Sequence, residues 1–319
     1  MTARVLVLRA LGLGDLLTAV PALRGLRRAL PDAEIVLAAP DRFAAVALAS
    51  GAVDRVLPTT APGRSVPPVL PWDGPAPDVA VDLHGNGLPS RQVLRALSPG
   101  AVLGWALPGF DGPMWREDEH ERVRWCRMLE WYGVECDPLD LRIGEPAGNG
   151  PVVLHPGADA GSRRWPPDRF AAVARELARA HVPVVITAGR GERALAESVA
   201  ADAGLPADAV LGGTGDLGFS DLVRLIGAAR AVVVGDTGIA HLATALGTPS
   251  VVLFGPVSPA LWGPPPDVRH RILWRPDDPS DLRPGDAHGA APDARLLRVQ
   301  KEDVLTELEN LGVLAGAVR

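Results

Sequence analysis

"VVVGDTGIAHLATALGTPSVVLFGP", Val232–Pro256, sets an acid, a hydroxyl, two glycines and a histidine between two strongly apolar runs. The Val run reads as a buried strand, Gly-Asp-Thr-Gly as a turn, the stretch from Ile239 as a helix, and "PSVVLF" as the next strand. That is one βα repeat of a parallel sheet. A second stretch more than two hundred residues earlier, "VLRALGLGDLLTAVPAL" (Val7–Leu23), has the same form: a strand, a glycine-bearing turn with an acid, and a helix.

Working outward, the alternation covers the chain. "RVLVLRA" is followed by a helix over about 15–30, then "EIVLAAP", a helix around 42–50 and the strand-like "DVAVDLHG". Residues 58–77 form a Pro-rich excursion without periodicity, and 118–132 are helical, rich in charge and Trp. "CDPLDLRIGEPAGNG" (Cys136–Gly150) concentrates Pro, Gly and Asn as a domain boundary does. The rhythm restarts with "PVVLHPGA", a helix over about 167–180, "PVVITAGR", a further helix and then the opening stretch. The expected fold class is α/β, with two doubly wound Rossmann-like domains facing a central cleft. Their expected spans are 1–148 and 149–300, with an amphipathic helix in 301–319 packing back on the amino-terminal domain.

Composition narrows the function classes. The 319 residues suit two domains, and 47% hydrophobic with 22% charged residues is ordinary for a globular enzyme. A net charge of −6 argues against a nucleic-acid or acidic-membrane surface. Cys126 and Cys136 are the only cysteines, without Cys-x-x-Cys spacing, so no disulfide framework or zinc site is indicated and a reducing, cytoplasmic compartment is expected. No signal-peptide pattern precedes the first strand, and no apolar run approaches the roughly 20 residues of a spanning helix. Lys301 is the sole lysine. Arginine is therefore the default cation here, and each one must be judged by its own surroundings.

Ligands of open α/β sheets sit beyond the carboxyl ends of the strands, where helix amino termini present unpaired N–H groups. Both motifs occupy that position. Gly12 and Gly14 superficially suggest a dinucleotide fingerprint, but Leu17 replaces the third glycine and no acid ends "EIVLAAP". Asp15 would also set a carboxylate where a pyrophosphate must bind. An Asp there can cap the helix or accept a proton from a bound hydroxyl, and spacing alone leaves both roles open. In the later motif, Thr237, the helix amino terminus and His241 suit a diphosphate, and Asp236 suits sugar hydroxyls. Structural alternatives there are a capping Asp236 and a half-buried, satisfied His241. "HPGADAGSRRWPPDRF" (His155–Phe170) adds Arg163 and Arg164 before a helix opened by Pro166 and Pro167. One arginine can neutralise a leaving diphosphate. Trp165 and Trp262 suit packing or a nucleobase border.

"GLGDLLTAVPALRGLR", "HPGADAGSRRWPPDRFAAVA", "GDTGIAHLATALGTPSVVLFGP" and, more loosely, "VDLHGNGLPSR" follow one another as they do in the glycosyltransferase family 9 heptosyltransferases, which the chain resembles. Those enzymes move heptose from ADP-heptose to lipopolysaccharide core. The resemblance implies a GT-B fold with the donor in the carboxy-terminal domain and Asp15 as the general base of an inverting single displacement. It also implies that Asp236, Thr237, Gly238 and His241 line the donor. The family commonly has Lys two residues before the Trp, where this chain has Arg163, which keeps the charge but changes its reach. Gly157, Arg164 and Gly255 are further donor-side candidates, and Gly14, His84, Asn86 and Arg91 are acceptor-side candidates.

No Asp-x-Asp ends a strand to hold a divalent cation, so metal-independent transfer with an ADP-sugar as co-substrate and no cofactor is expected. Expected partners are a nucleotide-sugar and a hydroxylated acceptor. Cations around the candidate acceptor loop are scattered and "RPDDPSDLRPGDAH" (Arg275–His288) is acidic. A small-molecule acceptor such as an aminoglycoside-like natural product is therefore weighed beside lipopolysaccharide core. Competing readings are a GT-B-shaped sugar-nucleotide epimerase, separated by product analysis with donor alone, and a nucleotide-sugar sensor, which binds without turnover. An NAD-dependent dehydrogenase is disfavoured by the broken glycine fingerprint.

Overall fold

The structure, a computed structural model, describes residues 2–314. It divides into two compact units at Ile143/Gly144, a few residues before the expected 148/149 division and inside the Pro/Gly-rich boundary.

The amino-terminal unit runs β1 (Arg4–Leu8), α1 (Leu13–Ala29), β2 (Glu34–Ala39), α2 (Ala44–Ala49), β3 (Arg55–Pro58), β4 (Val79–Asp82), α3 (Leu88–Arg95), β5 (Ala101–Leu103) and α4 (Glu121–Glu130). Its five strands are all parallel, in the order β3-β2-β1-β4-β5. Val5–Leu8 and Ile35–Ala38 are fully buried, which is why these strands read as continuous apolar runs and not as alternating ones. Three indoles gather near α4: Trp105 and Trp115 have centroids 5.2 Å apart, and Trp125 lies 5.8 Å from Trp105.

The carboxy-terminal unit runs β6 (Val152–His155), α5 (Pro167–Arg179), β7 (Val184–Ala188), α6 (Arg193–Ala203), β8 (Val210–Gly212), α7 (Phe219–Ala228), β9 (Ala231–Gly235), α8 (Gly238–Leu246), β10 (Ser250–Leu253), α9 (Pro259–Trp262), β11 (His270–Leu273), α10 (Ala294–Arg298) and α11 (Lys301–Asn310). Its six parallel strands follow β11-β10-β9-β6-β7-β8. Counted from β6 this is the doubly wound order 3-2-1-4-5-6.

In each sheet the order reverses once, between β1 and β4 and between β6 and β9. Such reversals splay the following loops apart and open a crevice at the strand carboxyl ends. Asp15 follows β1 and Asp236 follows β9, so each motif stands at a reversal. One expectation is corrected: α11 packs on α5, β10 and β11, and Val304 and Leu308 are buried in the carboxy-terminal core. Its apolar stripe completes that unit. The rest of the expected 301–319 segment beyond 314 lies outside the described residues. No described helix is long and apolar enough to cross a membrane.

Candidate functional site

At the β1/β4 reversal, Asp15 is the third residue of α1, and its Oδ2 accepts from the Gly12 N–H at 3.0 Å. The carboxylate thus ties down the turn before its own helix, the capping alternative, yet remains beside two cations: Oδ1 is 3.9 Å from Arg9 Nη2 and Oδ2 is 4.0 Å from Arg64 Nη1. Gly12 has φ −76°, open to any residue, so glycine is needed here for room and not for a special turn. A Cβ would lie 3.0 Å from Asp15 Oδ2 and 3.2 Å from Arg64 Nη2. Gly14 lies in the first turn of α1, half-buried.

Arg9, which sequence reasoning missed, organises this edge. It is fully buried, donates to the Asp15 carbonyl at 2.8 Å, to Glu121 Oε1 at 3.0 Å and to the Leu83 carbonyl, and stacks 4.6 Å over Trp125. Glu121 also accepts from Trp125 Nε1 at 2.8 Å and pairs with Arg124. A buried guanidinium without partners would be strongly destabilising, so this network is what allows a charge at the end of an apolar strand. The available signal was that strand itself: an Arg closing a fully apolar run must be met by acceptors from elsewhere.

On β4, Asp82 is fully buried and burial raises its carboxyl above the usual range. It accepts from Ser90 Oγ at 2.8 Å, from the His84 N–H at 3.2 Å and from Arg91 Nε at 3.5 Å. This corrects the acceptor-side expectation for Arg91. Its guanidinium is fully buried, paired with Asp82 and bonded to the Trp105 carbonyl at 3.1 Å, so it anchors the β4–α3 loop from within. Asn86 is exposed on that loop. His84 is different: it is buried, and neither ring nitrogen has a partner at full hydrogen-bond geometry, the Ser65 backbone making only a weaker contact. Burial, then the Arg9 charge, lowers its pKa to about 4, with Asp15 acting in the opposite sense. Each unsatisfied buried polar atom costs about 1–3 kcal/mol, so the imidazole is held in a state that a hydrogen-bonding ligand would relieve.

At the β6/β9 reversal, Thr237 is the N-cap of α8 in extended conformation, but its hydroxyl caps nothing and is buried without a partner. The first N–H groups of α8 therefore receive no cap from Thr237, and the helix dipole leaves partial positive charge there. Arg163 Nη1 lies 3.4 Å from Asp236 Oδ2, and the chain pinches at Gly235, where a Cβ would meet the Arg163 carbonyl at 2.8 Å. That close approach sets Arg163, Asp236, Thr237 and Gly238 together. His241, in the first turn of α8, has its ring 5.9 Å from Trp262, edge to face.

The remaining donor-side candidates are engaged elsewhere. Arg164 donates to the Ala158 carbonyl at 2.7 Å and lies 3.4 Å from Glu192 Oε1. Gly157 faces the same Glu192, whose carboxylate a Cβ would strike, and Gly255 makes room for Leu296 and Asp293. Trp165 is packing, buried against Phe170 at 4.9 Å with Nε1 on the Val299 carbonyl at 2.9 Å. His155, buried at the end of β6, bonds Thr187 Oγ1 at 3.0 Å. Among the described residues no group of three or more His, Cys, Asp or Glu is placed to hold a metal ion.

Comparison with known proteins gives this arrangement a relative. Residues 132–281 match the sequence profile of glycosyltransferase family 9 (heptosyltransferase). Lipopolysaccharide heptosyltransferase 2 of Escherichia coli K12 is 30% identical over 178 residues, 55% of this chain and 49% of that protein. Lipopolysaccharide heptosyltransferase 1 of Pseudomonas aeruginosa is 27% identical over 298 residues, 82% of this chain and 81% of that protein. A solved E. coli heptosyltransferase with ADP superposes with a TM-score of 0.71 at 18% identity, covering 97% of this chain and 99% of that one. The fold is thus the two-domain, Rossmann-like GT-B type. Over residues 132–281 the chain is similar to the glycosyltransferase family 9 heptosyltransferases. The chain spans about half the length of the E. coli relative that it matches, and the profile match includes the α8 motif.

Proposed function

We propose that the protein transfers heptose from ADP-heptose to an acceptor hydroxyl with inversion and without a metal ion. The observation that carries this reading is the amino terminus of α8: a buried N-cap hydroxyl without a partner, which caps none of the helix N–H groups, and a guanidinium 3.4 Å from the adjacent Asp236. Such a terminus is suited to phosphoryl oxygens. Similarity to lipopolysaccharide heptosyltransferases, and ADP in a related structure, support ADP-heptose as the donor.

In the proposed reaction Asp15 takes the proton of the acceptor hydroxyl, whose oxygen attacks the anomeric carbon from the face opposite the diphosphate. The bond from that carbon to the diphosphate oxygen breaks, and ADP leaves with the electron pair. Arg163 and the α8 terminus stabilise the charge that develops on the leaving group, and His241 adds a hydrogen bond. Asp236 holds the donor's sugar hydroxyls. Of the acceptor classes, the relatives favour lipopolysaccharide core. A small-molecule acceptor is favoured by a different observation: Arg91 is consumed by Asp82, and Arg64 lies against Asp15, so neither offers an obvious seat for core phosphates. Comparing kcat/KM for core oligosaccharide and for an aminoglycoside separates the two.

The test of the donor assignment is thermal stabilisation by ADP, UDP, GDP and ADP-heptose. A ligand at 100 times its Kd adds about 2.7 kcal/mol of stability. ADP and ADP-heptose should stabilise the protein and UDP should not. Equal response to all three nucleotides, or to none, refutes an adenine-diphosphate site.

A further inference from the structure

Resting on the transferase reading above, we propose that His84 is the acceptor-selecting residue, a neutral imidazole that donates from one ring nitrogen and accepts at the other to grip two hydroxyls of an uncharged sugar face beside the hydroxyl activated by Asp15.

Three observations place it there. His84 follows β4 directly, and β4 pairs with β1 in register Leu8↔Asp82, so the imidazole stands at the strand reversal from which Asp15 also emerges. Its backbone is held on both sides: the Leu83 N–H donates to the Leu8 carbonyl at 3.2 Å, the Leu83 carbonyl accepts from Arg9, and the His84 N–H donates to Asp82 Oδ1 at 3.2 Å. Asp82 is in turn fixed by Ser90 and Arg91, so a fully buried polar cluster serves to aim this loop. Finally, neither buried ring nitrogen has a partner at full hydrogen-bond geometry, only the Ser65 backbone lying against the ring.

Chemistry selects the ligand. With Arg9 as the nearest cation and burial acting in the same direction, the ring stays neutral at physiological pH. A neutral imidazole has one N–H donor and one lone-pair acceptor. It is matched by a diol, each hydroxyl of which can give or receive, and is poorly matched by a carboxylate or phosphate, which can only accept. The Ser65 backbone lies against the ring and Arg64 against Asp15, so an entering sugar displaces both contacts of the same loop.

The probe is deacylated lipopolysaccharide inner-core oligosaccharide with ADP-heptose, read in two ways. First, the His84 imidazole resonance of the intact wild-type protein should shift on adding the oligosaccharide and not on adding ADP. Second, His84→Ala should raise the KM for the oligosaccharide about 10- to 100-fold with the Kd for ADP-heptose within twofold, and His84→Gln, which keeps one donor and one acceptor, should recover most of that loss. An unmoved resonance overturns the inference, as does a His84→Gln protein that is folded by circular dichroism yet no better than His84→Ala. Wild-type protein whose resonance shifts but which transfers no heptose overturns the transferase reading and leaves the assignment of His84 as a ligand standing.

Discussion

The two strand reversals share a topology and differ in what occupies the helix that follows. After β1 the first turn of α1 is filled from within: Asp15 accepts the Gly12 N–H, and Arg9 and Arg64 flank its carboxylate. After β9 the corresponding terminus of α8 has an unpartnered Thr237 hydroxyl, with Asp236 beside it paired to Arg163. An acid inside the first turn of a helix rejects anions and can take a proton; where the neighbouring acid lies outside the helix and is paired with an arginine, the terminus can accept an anion. On the proposed reading, one architectural edge is used twice with opposite electrostatic roles.

The strongest way to break this comparison is Asp15→Asn. Transfer should fall by about 10²–10⁴-fold, the usual contribution of a general base. ADP-heptose affinity by calorimetry should stay within twofold, and parallel loss of both would make Asp15 a purely structural cap. Arg163→Ala probes the other edge and should weaken ADP binding by roughly 10- to 100-fold, the scale of a charged hydrogen bond. Arg163→Lys should recover part of it, and an unaltered Kd would remove Arg163 from the donor site.

A pH series sharpens the contrast further. Unfolded His84 binds a proton near 6.5, but the folded side chain refuses it until about 4. Stability should therefore fall as pH is lowered through that window, by at most about 3 kcal/mol from this group. Asp82, whose carboxyl is raised, acts in the opposite direction, losing stability as pH rises above its unfolded value. Urea midpoints of wild type and His84→Gln, which share Asp82, isolate the His84 slope; parallel curves would contradict it. Gly235→Ala, which forces a methyl within 2.8 Å of the Arg163 carbonyl, should cost about 1–3 kcal/mol in the carboxy-terminal unit. A Tm equal to wild type would show that the pinch relaxes freely. The smallest expected effect is that of EDTA, which should leave the transfer rate unchanged; a loss restored by added cation would replace the helix dipole with a metal in the mechanism.

Much of the fold was readable because buried parallel strands are uniform apolar runs separated by helices, and "EIVLAAP" or "AVVVGDTG" admits few other readings. Strand order was not, since pairing of β1 with β4 is decided by packing across some seventy residues and leaves no local mark. The site divides in the same way. The positions of Asp15 and Thr237 at strand-to-helix turns were legible because glycine-bearing turns between an apolar run and a helical pattern mark such junctions. Arg91 was misread because its spacing beside "LHGN" looks like a ligand contact, whereas its partner Asp82 seemed an ordinary strand residue. Arg9 was missed for the complementary reason: Glu121, its ion-pair partner, is 112 residues away. The terminal helix misled because an amphipathic stripe tells that a face is covered and not by what.

The crowding of Trp105, Trp115 and Trp125 has an optical consequence. Indoles with centroids 5.2 to 6.0 Å apart couple their excited states, and Trp125 is bonded to Glu121 and overlain by Arg9. Near-ultraviolet ellipticity, which records fixed aromatic surroundings, should therefore carry an intense signature from this trio. Loosening of the Arg9 network would dim it, giving a label-free gauge of the surroundings of Asp15.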